Sequence, residues 1–125
     1  MPVRTTRKQY DRFVSKVYGA WDAVGMDGWQ LIVRLADLNA DIAAQTEREY
    51  FQRRIVITMN SHIAHKHSTA FWDDMAVHEV AHAVLAPLGE LAKMRFIDDG
   101  DLDAAEHEVV RRLIPMIENA TRRPR

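Results

Sequence analysis

From Met75 to Ala86 the chain reads MAVHEVAHAVLA, and apart from His78, Glu79 and His82 no residue in this run is polar. No proline and no other charge interrupts it, so the run is expected to be a helix that a small domain buries in its core. Residues four apart stack on one helix face, which points His78 and His82 the same way, one turn apart. Two ligands of a single metal ion need this arrangement. Glu79 lies about 100° round the axis from His78, where its carboxylate reaches a water held on a metal rather than the metal itself. Zinc on neutral imidazoles lowers the pKa of such a water to about 7, and the glutamate can accept its proton and return it to a leaving group. The plainer alternative is a pair of partly buried, satisfied histidines beside a surface glutamate.

The elements around this run follow from periodicity. Thr5 or Thr6 caps a first helix reaching about Trp21, with Tyr10, Phe13, Val14, Val17 and Trp21 on one apolar face and "GMDG" (25–28) as its stop. "WQLIVRL" (29–35) alternates, with Trp29, Leu31, Val33 and Leu35 on one side, and "RRIVITMN" (53–60) does the same with Ile55, Ile57 and Met59 inward. Between them, "ADIAAQTEREYF" reads two ways: its Ala, Gln and Glu favour helix, but Ile42, Ala44, Thr46, Arg48 and Tyr50 also fit one face of a middle strand, which is the preferred reading. The expectation is therefore a mostly antiparallel three-stranded meander. "NSHIAHKHS" (60–68) reads as a polar loop, and Ser68 or Thr69 caps the helix that carries the motif. Pro87 and Gly89 mark that helix's end, "DDGD" (98–101) makes a turn, and a last helix runs from Asp101 to about Asn119 with a kink at Pro115. The whole, residues 1–125, is expected to be one α+β domain.

Composition narrows the partners. The net charge is −1, with 47% hydrophobic and 28% charged residues. A near-neutral chain without a basic aromatic face gives no reason to expect nucleic acid or an anionic membrane. Cysteine is absent, which removes disulfides, thiolate zinc sites and cysteine nucleophiles, and fits a cytoplasmic protein. "MPVRTTRKQYDRF" has no apolar stretch behind its basic residues and is not expected to be a secretory signal. No segment approaches the roughly 18 uninterrupted apolar residues of a membrane span.

Two histidines need a third ligand to make a catalytic metal site. The extended motif with glycine and a further histidine is excluded, because its positions hold Leu85 and Leu88. In the last helix, Val109, Val110, Leu113, Ile114, Met116 and Ile117 define a core-facing side, and Glu106 falls near its middle. A carboxylate there is costly unless it is paired or metal-bound, which makes Glu106 the leading third ligand. Glu108 falls on the opposite side with Arg111 and Arg112. His107, at the edge of the apolar side, either replaces Glu106, acts as an oxyanion donor or is simply exposed. His62, His65 and His67 either line the cleft, stabilise an oxyanion or bind a second metal, or simply belong to a polar loop, and Asp74 either accepts from an imidazole or favours the helix N-terminus.

A helix, a short sheet, the "HEVAH" helix and a second helix with "AAEHEVVRRL" together resemble the minimal zincins of the gluzincin type, small metallopeptidase-like domains of bacteria and their phages. The resemblance covers about residues 29–118. It implies Zn²⁺ on His78, His82 and Glu106, Glu79 as general base, and the strand from Ile55 to Met59 beside the cleft for a peptide or protein substrate. It implies a zinc-dependent peptidase, with a non-catalytic zinc-binding module as the alternative. One departure stands out: larger gluzincins often carry an aspartate four residues after the ligand glutamate, where this chain has Val110.

Overall fold

The computed structural model describes residues 2–26, 28–49, 52–85 and 99–122. Its elements are β1 (Val3–Arg4), α1 (Arg7–Val24), β2 (Gln30–Ala36), β3 (Ala44–Glu49), β4 (Arg54–Asn60), β5 (His62–Ile63), α2 (Thr69–Val84) and α3 (Asp99–Arg122). The described residues thus form an α+β arrangement of three helices and two small sheets.

Thr6 starts α1. Its hydroxyl accepts from the Gln9 amide at 3.1 Å, while the Gln9 side chain accepts from the Thr6 amide at 2.8 Å, a reciprocal capping box. The helix runs one turn past Trp21 and stops at Gly25, whose φ of 66° is a conformation that glycine takes without steric penalty. Phe13, Val17, Ala20 and Trp21 are buried, the face that their spacing defines.

The sheet corrects the expected meander. β4 is its central strand, parallel to β2 and antiparallel to β3. Ile57 lies opposite Val33 on one side and Thr46 on the other. The side chains explain this order. Every residue from Ile55 to Asn60 is buried, which only a strand flanked on both sides and covered on both faces can satisfy. AQTERE of β3 is polar and charged, and such sequences tolerate an edge. The stretch expected at the cleft's edge, Ile55 to Met59, is therefore interior, and β3 takes the edge instead. Leu35, expected inward, is 38% exposed.

Because β2 and β3 flank β4, the connection through residues 37–43 crosses the end of β4, and Asn60 ties it down there. The side chain is fully buried. Its Nδ2 faces the carbonyls of Asn39 at 3.0 Å and Ile42 at 2.8 Å, and its Oδ1 accepts from the amides of Leu38 at 3.0 Å and His62 at 3.1 Å. The next residues do not form a plain loop. His62 and Ile63 pair with Arg4 and Val3 as a two-stranded antiparallel ribbon, a pairing too short to leave a periodic signature.

Ser68 caps α2 by accepting from the Phe71 amide at 3.1 Å. The helix packs against α1, α3, β3 and β4, which buries Trp72, Ala76, Val77, Val80, Ala81 and Ala83. Arg12 on α1 binds both carboxylate oxygens of Asp73 at 2.9 Å. α3 begins before Asp101 and continues as helix through Pro115. Val110 and Ile117 on it are buried, with Leu113 and Ile114 packed beside them. The expected end of α2 at Pro87 and Gly89 and the side chains of Val109, Met116, Glu108 and Arg112 lie outside the described residues.

Two outcomes follow from this packing. Asn60→Ala strands two amides and two carbonyls at the crossover and is expected to cost on the order of 2–4 kcal/mol in urea denaturation. The hydrogen bond from Arg12 holds the Asp73 carboxyl below the usual carboxylate range. Its contribution is complete above the unfolded value of about 3.9 and fades as pH falls through the lowered native value. The urea midpoints of wild type and Asp73→Asn should therefore differ at pH 7 and converge in strong acid.

Candidate metal centre

The edge strand β3 and the helices α2 and α3 line a pocket of about 490 Å³. His78, Glu79 and His82 of α2, Glu106 and His107 of α3, and Thr46 and Arg48 of β3 all reach it. The helical stacking of His78 and His82 brings their Nε2 atoms to 3.1 Å. Ligand atoms of His78, His82 and His107 lie within 4.8 Å of one another, the one such cluster among the described residues. Such a set could hold a divalent metal ion.

Each imidazole is set by what its other nitrogen meets. His107 Nδ1 lies 2.8 Å from the carbonyl oxygen of Asp103, one turn back on α3. A carbonyl only accepts, so this nitrogen carries the proton and Nε2 keeps its lone pair. His82 Nδ1 lies 3.2 Å from Glu106 Oε1. The Glu106 carboxylate also accepts from Arg48 Nη1 at 2.9 and 3.1 Å, and both side chains of this ion pair are largely buried. Burial by itself would raise the Glu106 pKa. The hydrogen bonds from His82 and Arg48, with the charge of Arg48, outweigh it and leave the carboxyl below its ordinary value. Glu106 is thus an acceptor towards His82 Nδ1, and the neutral tautomer that this bond selects carries its lone pair on Nε2. Burial pushes the His78 pKa below its usual value, and the neighbouring His82 and His107 add to the effect. The lowered value favours the neutral form of His78, the form that binds metal.

Glu79 is 5% exposed. The Thr46 hydroxyl sits 2.7 Å from its Oε1 and 2.9 Å from its backbone carbonyl, bridging β3 to α2. Burial raises the pKa of this carboxyl, and the bond from Thr46 and the proximity of His82 and His107 only partly offset it.

Of the residues singled out in the sequence, His78, Glu79, His82, Glu106 and His107 come together here. His65 and His67 line a different pocket, where His67 stacks on Phe71 at 3.7 Å between ring centroids. His62 Nδ1 lies 3.0 Å from Asp37, and Asp74 lines a cleft with Ser15 and Lys16. Thr46 and Arg48 were not anticipated at the site. Their signal was the alternation of Ala44, Thr46 and Arg48: an arginine on an inward strand face requires a buried acid. No family model matches the chain, and no match was found among curated proteins or solved structures.

Thr46→Val should raise the Glu79 pKa further and cost roughly 1 kcal/mol of stability. Carbon-13 NMR titration of the glutamate carboxyls reads this directly. A Glu79 midpoint that stays put or falls would show that the hydroxyl does not act on the carboxylate.

Proposed function

We propose that this chain is a zinc-dependent peptidase of the zincin type. The observation that carries the reading is the meeting of the 3.1 Å Nε2 pair of His78 and His82 with the buried carboxylate of Glu79 in one pocket. The donor set fits the metal: two imidazoles from α2 and a third group from α3, where Glu106 and His107 are the candidates. Zinc bound there would polarise a scissile carbonyl and acidify a water.

The chain's own residues account for the remaining work. Glu79, with its proton affinity raised by burial, takes a proton at its carboxylate and hands it to the leaving amine. Thr46 fixes the carboxylate's orientation through the bond at 2.7 Å. Among the described residues β3 pairs with β4 along one side only, so its other side offers main-chain donors and acceptors to an extended peptide. The Arg48 guanidinium lines the same pocket, where its charge is balanced by Glu106.

A second reading is a zinc-binding module without activity of its own. The positions of His62, His65 and His67 away from this pocket favour it, whereas His107, which lines the pocket, counts against it as long as that ring is free to act as a donor. Purified wild type should contain about one zinc per chain, and His78→Ala with His82→Ala should contain none. On a broad peptide library Glu79→Gln is expected to lower kcat/KM by roughly 10²–10⁴-fold. Zinc without cleavage by either protein supports the module, and a wild type that binds no divalent metal overturns both readings.

A further inference from the structure

We infer that the third metal ligand is His107, and that Glu106, paired with Arg48, holds the His82 ring instead of binding the ion. The inference rests on the metal-site reading above and departs from the glutamate that the gluzincin resemblance implies.

Four observations carry it. The cluster of ligand atoms within 4.8 Å comprises His78, His82 and His107. The bond to the Asp103 carbonyl forces the His107 proton onto Nδ1 and leaves Nε2 free to ligate. Glu106 meets His82 at Nδ1, whereas the contact with His78 is made by Nε2, so the carboxylate sits on the side of the ring away from the paired nitrogens. Finally, Glu106 Oε1 already faces two donors, and the Arg48 guanidinium neutralises its charge within a largely buried ion pair. A carboxylate that accepts from the far nitrogen of a ligating histidine fixes the tautomer and raises the ring's basicity. Arg48, Glu106 and His82 form such a chain from β3 through α3 to α2.

The arrangement has a chemical consequence. Three neutral imidazoles leave the ion its full double charge, whereas a carboxylate ligand would cancel part of it. The Arg48–Glu106 pair keeps a compensated negative charge close by without spending it on the metal.

X-ray absorption of the zinc-loaded wild type counts the ligands without any substitution: three imidazoles are expected, and two imidazoles with a carboxylate would overturn the inference. Zinc titration of metal-free variants against a chromophoric chelator gives the second arm, with circular dichroism as a control for folding. Glu106→Gln should weaken zinc binding by roughly 10–100-fold, as loss of an orienting partner does, and His107→Ala should weaken it by more. Zinc binding that survives His107→Ala but is abolished by Glu106→Ala overturns the assignment while leaving the metal site intact. Failure of the wild type to bind zinc at all is a different result, and it removes the functional reading itself.

Discussion

Glu79 and His82 are polar groups on a helix that carries Trp72, Ala76, Val77, Val80, Ala81 and Ala83 into the core, and polar groups packed there cannot be left unmet. Each is answered from a different element. Thr46 on β3 takes Glu79, Glu106 on α3 takes His82, and Arg48 on β3 takes Glu106. This relay specifies that a strand edge and a second helix must both lie against α2. The apolar packing then makes the arrangement stable: Phe13, Ile55, Ile57, Val80 and Val110 are all fully buried.

Much of the arrangement was legible in the sequence because it is local. Capping at Thr6 and Ser68, the stop at Gly25 and the facing of His78 with His82 all follow from spacings within one or two helical turns. The strand at residues 44–49 was legible only in part: alternation favoured it, while alanine, glutamine and glutamate favour helix. What alternation does not state is which strands are neighbours. The clue lay in burial on both faces: IVITMN is too apolar for an edge, and AQTERE is too charged for a centre. The β1–β5 ribbon was illegible for a different reason, since two residues per strand carry no period.

At the site, helical geometry correctly turned Glu106 towards the interior but said nothing about its partner. Its partner Arg48 is remote in sequence and belongs to a strand whose position in the sheet was misread. Once β3 takes the edge, Thr46 and Arg48 fall against α2 and α3 together. A single change of strand order therefore repositions the cleft and replaces the residues that line it. Among the described residues, no helix is long and apolar enough to cross a membrane.

The links that close the pocket differ in reach along the chain. Glu106 lies 24 residues beyond His82 and 58 beyond Arg48. A ribosome delivers these groups in order, strand edge first and orienting carboxylate last. At about 5–20 residues per second the HEVAH helix is made roughly 1–5 s before Glu106 follows. For that interval the nascent chain carries the His78–His82 pair without the carboxylate that meets His82 Nδ1 in the folded protein.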